Sequence, residues 1–204
     1  MTSALAQATS QIPEIKSTDG FIQTEKFLAV CRLVIPVIDN LGTAFTLVRS
    51  DINGNIQRLA DRATQDPDRM MRLFALVQDE IVRGRQHESN SVTKGLLWLK
   101  RAMEFTVDIL KRLRDQPADA DIGQLVTDAY TETLLKFHGF VASSAFYLAF
   151  KFLPTREYVI TSMGASPGAN VQSELDAFVT SFTPILTEIH MFLVENNLDD
   201  PTKV

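Results

Sequence analysis

Apolar residues recur at three- and four-residue intervals along most of the chain, and this spacing is the strongest constraint on its fold. In residues 24–40, for example, Phe27, Val30, Cys31, Val34 and Ile38 fall on one face of a helix. No run of alternating β-branched residues stands between turn signals, so the sequence predicts no sheet. We therefore predict an all-α fold, a two-layer, single-domain bundle of about eight helices.

Breaks in this spacing divide the chain into segments. We predict a flexible N-terminal lead-in over residues 1–20 and one domain over residues 21–204. Proline, glycine and polar clusters bound the predicted helical segments. These segments cover residues 24–40, 45–65, 68–85, 91–115, 123–153, 155–163 and 171–196, with a kink expected at Pro36 and an interruption at Pro184.

Charge and cysteine content bound the class of protein. A net charge of −5 and a pI near 5.2 argue against nucleic-acid binding, which needs an excess of positive charge. The single cysteine, Cys31, cannot form an internal disulfide, which favours a reducing compartment. The N-terminus lacks a signal-peptide layout, and no uninterrupted apolar run approaches the roughly 20 residues that span a bilayer. We expect a soluble, cytoplasmic protein without a nucleic-acid partner.

Two enzyme signals fail on geometry. The sequence Gly-Ala-Ser-Pro-Gly at 164–168 matches a nucleophile-elbow pattern, but an elbow needs a preceding strand, and we predict a turn there. Asp176 and His190 would complete a triad, yet they lie about 21 Å apart along one predicted helix. The remaining histidines, His87 and His138, are far apart and form no metal-ligand pair. The sequence predicts no enzyme, no cofactor and no metal site.

Three polar residues share a narrow stripe on an otherwise apolar helix. Asp51, Asn55 and Arg58 stand at positions i, i+4 and i+7, within about 60° of one another around the axis. Taken alone, such a stripe is typical of a solvated charged face. Trp98, the only tryptophan, and His138 also stand on apolar helix faces, where such residues are usually part of the core.

Together these segments resemble the glycolipid transfer protein family. The resemblance is carried by Leu41-Gly42, Phe45-Thr46, the run from Asp51 to Arg58, the run from Gly95 to Arg101 and the run from Leu135 to Phe140, in order and at matching separations. It implies non-vesicular transfer of glycosphingolipids, with one sugar-headgroup site and an apolar chamber for the chains. The headgroup-binding residues carried over are Asp51, Asn55, Arg58, Trp98 and His138.

The resemblance also implies a role for each of these residues. Trp98 stacks under the first sugar, while Asp51, Asn55 and the cation at Arg58 bond its hydroxyl groups. Asp51 also accepts from the ceramide amide N–H, and His138 donates to the amide carbonyl. These roles suit the chemistry, because a sugar has an apolar C–H face and hydroxyls that need fixed donors and acceptors.

The headgroup class depends on two positions. Relatives that carry ceramide-1-phosphate place cations where this chain has Asn55 and Trp98, and a phosphate needs such cations. The sequence thus favours an uncharged sugar. Two alternatives stay open: a ceramide-1-phosphate carrier, and an all-α interaction protein that has lost lipid binding.

The 13 phenylalanines suit a hydrocarbon-lined chamber. We expect its lining to include Val30, Phe45, Leu134 and Phe146. Phe140 and Lys136 are expected to contact the membrane transiently, and the chain is expected to be a monomer. Three residues depart from the family pattern: Arg58 replaces a common lysine, Phe140 replaces a tryptophan linked to membrane docking, and Thr202 replaces a tyrosine found in some members.

Overall fold

The computed structural model describes residues 3–163 and 170–204. Within these residues the chain forms ten α-helices and short 3₁₀ turns, and no strand, so the all-α prediction is confirmed. The helices are α1 (Ala4–Gln11), α2 (Thr24–Asp39), α3 (Thr46–Gln65), α4 (Pro67–Met70), α5 (Leu73–Arg83), α6 (Val92–Asp115), α7 (Ile122–Thr133), α8 (Phe140–Phe150), α9 (Arg156–Met163) and α10 (Val171–Glu195). The 3₁₀ turns cover Ile12–Glu14, Thr43–Phe45 and Leu135–Phe137.

Helix α6 is the centre of the bundle. It packs against α3, α5, α7 and α10, while α2 contacts α1 and α3, and α1 closes onto α10. Two side chains cap its first turn: Ser91 Oγ accepts from the Lys94 N–H at 3.1 Å, and Glu80 accepts from the Val92 N–H at 2.8 Å. An N-cap and a carboxylate satisfy backbone donors that have no partner inside the helix, which fixes where α6 begins.

A glycine sets the distance between α3 and α6. A Cβ atom at Gly95 would lie 3.0 Å from Arg58 Cδ and 3.2 Å from Leu59 Cδ1, closer than ordinary van der Waals contact. The missing side chain therefore lets α3 approach α6 at the level of Arg58, one turn before Trp98.

The N-terminal segment corrects the expectation of a flexible lead-in. Residues Ala4–Gln11 form α1, with Ser3 as its N-cap, and Leu5 and Ala8 are buried against neighbouring helices. Ile15 is also fully buried. The helix is too short for its periodicity to stand out in the sequence, and tertiary packing rather than intrinsic propensity stabilises it.

The predicted long helix over 123–153 is wrong, because α7 and α8 are separated at residues 134–139. The break is stabilised by hydrogen bonds from a distant part of the chain: the Gly139 N–H donates to Val204 O at 2.7 Å, and the Val204 N–H donates to Phe137 O at 3.0 Å. Between these bonds His138 has an extended backbone.

Two other predicted features differ from the structure. The segment predicted as one helix over 68–85 is divided into α4 and α5, because the Thr24 N–H donates to Met71 O and the Leu73 N–H donates to Ile22 O. Helix α10 continues through Pro184, where an interruption was expected, whereas α2 continues through Pro36 as the predicted segment 24–40 does.

Helix α10 is, among the described helices, the one long and apolar enough to cross a membrane by length and composition. It packs against α6 and α1, and Phe178, Phe182 and Ile189 on it are buried. These contacts are those of a core helix, for which a high apolar content is ordinary.

Candidate functional site

The polar stripe of α3 has one hydrogen bond between its own members and one to the start of α6. Asn55 Nδ2 donates to Asp51 Oδ2 at 3.1 Å, and the Asn55 side chain is buried whereas Asp51 is exposed. Arg58 is half-buried, and its Nη1 donates to Ser91 O at 3.4 Å, at the start of α6. The stripe therefore lies beside the α3–α6 contact, with Asn55 buried and Arg58 half-buried.

Trp98 and His138 meet although they come from different elements. The indole and imidazole centroids lie 5.8 Å apart, with 22° between the ring planes. Trp98 is half-buried on α6, and His138 is buried in the break between α7 and α8. The break that the periodicity analysis missed is thus what brings His138 to the indole.

The protonation state of His138 is set by its neighbours. Burial lowers its pKa, and the Arg101 charge lowers it further, so the ring is neutral near pH 7. Tyr130 Oη lies 2.9 Å from His138 Nδ1, and burial raises the pKa of that phenol to about 12. A neutral imidazole that accepts the Tyr130 hydroxyl at Nδ1 carries its hydrogen on Nε2, which is then free to donate.

A cavity of about 390 Å³ opens between α3, α6 and the α7–α8 break. Asp51, Trp98 and His138 supply its polar and aromatic lining, and the other lining residues are Leu47, Val48, Ala102, Leu134, Phe146 and Val204. Asn55 joins this cavity through its bond to Asp51, whereas Arg58 lines a separate, more polar groove with Asp61 and Arg62. Three of the five predicted headgroup residues therefore line one cavity directly.

A second cavity of about 210 Å³ lies beside the first and is lined by apolar side chains. The two share Leu47, Val48 and Phe146, so Phe146 stands between them. Of the predicted chamber residues, Phe45 lines the second cavity, Leu134 lines the first and Phe146 lines both. Val30 is fully buried in the core and lines neither.

The carboxyl group of Asp51 is poorly hydrated for an exposed residue. Neighbouring protein atoms exclude water from it and raise its pKa, while the Asn55 bond and the Arg58 charge act in the opposite direction. A carboxylate in this setting gains from an additional N–H or O–H donor, because that donor replaces lost hydration.

Sequence reasoning gave no role to two residues that the structure places in this site. Tyr130 is fully buried and bonds His138, and Arg101 is 1% exposed and lies against Trp98. Arg101 stood at the end of the run from Gly95 that carried the resemblance, but periodicity cannot show what a buried cation contacts.

Several large apolar side chains are exposed on α8, just after it and at the start of α3. Phe140 is 86% exposed and Val141 82%, and Leu47, Leu148 and Phe152 are also exposed. We call these five residues the α8 surface. Lys136 and Lys151 are exposed nearby in the chain, whereas Arg156 donates to Leu113 O and Ala118 O and is not a free cation.

The enzyme-like residues take other partners. The Gly-Ala-Ser-Pro-Gly sequence at 164–168, predicted as a turn, lies outside the described residues. Asp176 accepts from Arg114 Nη1 at 2.8 Å, and His190 Nδ1 lies 3.0 Å from Lys100 Nζ. In the part of the chain that the structure describes, no group of three His, Cys, Asp or Glu side chains could hold a metal ion.

Comparison with known proteins gives consistent matches. The family model described as glycolipid transfer protein matches residues 22–165. Glycolipid transfer protein 1 of Arabidopsis thaliana is 40% identical over 186 residues, which are 91% of this chain and 91% of that protein. A solved structure described as "How FAPP2 Selects Simple Glycosphingolipids Using the GLTP-fold" is 26% identical, with a TM-score of 0.90 over 100% of both chains. Human ceramide-1-phosphate transfer protein, in complex with 12:0 ceramide-1-phosphate, is 21% identical, with a TM-score of 0.86 over 95% of this chain and 97% of that one, and shares the fold.

Proposed function

The chain belongs to the glycolipid transfer protein family, and on that premise we propose that it carries glycosphingolipids between membranes without vesicles. The observation that carries the proposal is the meeting of Asp51, Trp98 and His138 at a cavity that adjoins an apolar one. A glycosphingolipid has polar and apolar groups in the same order along its length: a sugar, then an amide, then two hydrocarbon chains.

The sugar is bound at the indole. The Trp98 ring offers apolar surface to the C–H face of the first sugar, while Asp51, Asn55 and Arg58 bond its hydroxyls. The Asn55–Asp51 bond supports this role, because it orients one amide and one carboxylate before the ligand arrives.

The ceramide amide is bound between Asp51 and His138. Asp51 accepts from the amide N–H, and His138 donates from Nε2 to the amide carbonyl. The contact between Tyr130 Oη and His138 Nδ1 is compatible with this direction of donation, because a hydroxyl that donates to Nδ1 leaves the hydrogen of the neutral ring on Nε2.

The hydrocarbon chains pass Phe146 into the apolar cavity. Transferring a methylene group from water to an apolar environment is favourable by about 0.8 kcal/mol. Two tails with about thirty methylenes would therefore lose about 24 kcal/mol if they were exposed to water during transfer. The two cavities, of about 390 and 210 Å³, share Phe146 as a wall, and we propose that the chamber enlarges as this ring is displaced. Loading is reversible, so the lipid gradient sets the direction of transfer and no nucleotide is needed.

Membrane contact is made by the α8 surface. Phe140 and its neighbours expose apolar side chains beside the cavities, and Lys136 and Lys151 add positive charge there. With a net charge of −5, the whole chain is not drawn to anionic lipid by bulk attraction, so the contact is local and transient. We propose that the protein acts as a cytoplasmic monomer and not as an enzyme.

Ceramide-1-phosphate is the rival cargo. The polar wall of the cavity supplies Asp51, whose carboxylate repels a phosphate, and an indole at Trp98 in place of a cation. These features favour an uncharged headgroup.

A vesicle-to-vesicle transfer assay tests the proposal, using glucosylceramide and ceramide-1-phosphate with the same fluorescent acyl chain. We expect glucosylceramide to move at least about tenfold faster. Asp51→Val should abolish this transfer, while Asp61→Val, which changes an exposed carboxylate on the same helix, should not. A preference for ceramide-1-phosphate overturns the sugar headgroup, and transfer of neither lipid favours an interaction protein without lipid binding.

A further inference from the structure

Arg101 is a buried cation that contacts two aromatic rings. It lies on α6, three residues after Trp98, and is 1% exposed. Its Cζ atom lies 3.4 Å from the ring centroid of Phe137 and 5.0 Å from that of Trp98. One guanidinium therefore contacts both the indole and the turn that leads into His138.

The same guanidinium holds the C-terminal segment. Arg101 Nη2 donates to Asp199 Oδ1 at 2.9 Å and to Asp200 O at 2.7 Å. Its Nε, also buried, has no hydrogen-bond partner among the described residues. The side chain thus makes two charge-assisted bonds with one nitrogen, while its Cζ atom lies over the two rings beside it.

The segment held by Arg101 returns to His138. Residues 199–204 lead to Val204, which is hydrogen-bonded to Phe137 and to Gly139, the two neighbours of His138 in the chain. Val204 and His138 line the same cavity. Arg101 therefore binds one end of this segment, and the other end is bonded to the neighbours of His138.

Stability alone is a weak explanation for burying the Arg101 charge. Removing a charged group from water costs several kcal/mol, and its ion-pair partner, Asp199, is itself only partly buried. An orienting role explains the arrangement better, since a planar cation can bond a carboxylate and stack on aromatic rings at the same time.

We propose that Arg101 is a positioning residue of the headgroup site, which fixes the Trp98 indole relative to the His138 turn. The guanidinium stacks on Phe137 and Trp98, and its ion pair with Asp199 keeps residues 199–204 bonded on both sides of His138. This inference rests on the proposed function, because it assigns Arg101 to the site that would bind the sugar and the amide.

The test uses the Trp98 emission, since the chain has a single tryptophan. Asp199→Ala removes the carboxylate from a partly exposed position and leaves Arg101 in place. We expect acrylamide quenching of the indole to increase about twofold and half-saturation by glucosylceramide to need about tenfold more lipid. Asp199→Glu should restore both values. The control is Asp176→Ala, which removes one of the two carboxylates that pair with Arg114, another arginine of α6, at 2.8 Å.

A second variant, Arg101→Lys, keeps the positive charge and removes the planar guanidinium group. It should increase acrylamide quenching and weaken lipid binding, as Asp199→Ala does. Wild-type quenching and lipid response in either folded variant overturns the inference. Loss of folding in both makes Arg101 a structural residue and overturns it as well. If glucosylceramide leaves the Trp98 emission of the wild-type protein unchanged, the proposed function is contradicted instead. Acrylamide quenching of the lipid-free variants still decides, in that case, whether Arg101 positions the indole.

Discussion

The Trp98 indole and the His138 imidazole stack with their centroids 5.8 Å apart, although α6 carries one and the α7–α8 break carries the other. Each ring suits a different part of a ceramide-linked sugar: we propose that the indole binds the apolar sugar face and that the imidazole donates to the amide. In the lipid these two parts are covalent neighbours. The stacking distance thus matches the order of groups in the cargo that we propose.

Replacing the indole tests its role as the sugar platform. Trp98→Ala should lower glucosylceramide transfer at least about tenfold, which corresponds to about 1.4 kcal/mol, and Trp98→Phe should have an intermediate effect because it keeps an aromatic face. The measurement is the transfer rate, alongside the far-ultraviolet circular dichroism of each variant. If Trp98→Ala loses its helical signal, the indole is a core residue.

The lowered pKa of His138 predicts a pH-dependent stability. Because burial holds the folded-state pKa below the unfolded value of about 6.5, the unfolded chain binds more protons just below that pH, and stability falls as pH falls. Urea unfolding of the wild type should therefore give a smaller free energy at about pH 5.5 than at about pH 7.5. His138→Asn, whose amide oxygen can still accept from Tyr130, should reduce this difference. An equal pH dependence in both proteins would rule out His138 as its source.

Gly95 should not tolerate a large side chain. A Cβ atom there already lies 3.0 Å from Arg58 Cδ, so Gly95→Leu would push α3 away from α6. We expect a loss of about 1 to 3 kcal/mol in the free energy of urea unfolding. The control is Gly54→Ala on α3, where a Cβ atom meets nothing within 4 Å and helix propensity should add about 1 kcal/mol of stability. A Gly95→Leu protein as stable as the wild type would contradict the close contact of the two helices.

Phe140 offers a way to separate membrane contact from lipid binding. Phe140→Asp places a charge in the α8 surface at a position that is 86% exposed, so the fold should not change. Co-sedimentation with vesicles should fall several-fold, because an aspartate is unfavourable at the membrane interface, while binding of short-chain glucosylceramide in solution is unchanged. Val82→Asp on α5, 83% exposed, is the matched control and should leave vesicle binding intact. Equal sedimentation of the two variants would place the membrane contact elsewhere.

Helical periodicity was sufficient to predict the fold class and the core helices. The segments predicted over 45–65 and 91–115 correspond closely to α3 and α6, because both helices are long and have clear apolar faces. It failed where hydrogen bonds join distant parts of the chain. The bonds between Val204 and the residues flanking His138 interrupt a segment that is locally as helical as its surroundings.

In the candidate site, too, contacts within one helix follow from the sequence, whereas contacts between helices do not. Asp51 and Asn55 are one helical turn apart, so their hydrogen bond follows from spacing alone. The meeting of Trp98 with His138 depends on tertiary packing, and the sequence suggested it only through the family resemblance. Arg101 and Tyr130 received no role, because their partners lie on other elements and a single sequence does not reveal such contacts.

Native mass spectrometry tests the central claim most directly. The purified protein would be mixed with vesicles that contain equal amounts of glucosylceramide and ceramide-1-phosphate, separated from them and weighed intact. The account predicts a monomer with one glucosylceramide molecule bound. A protein that leaves the vesicles without lipid, or with ceramide-1-phosphate instead, would contradict it.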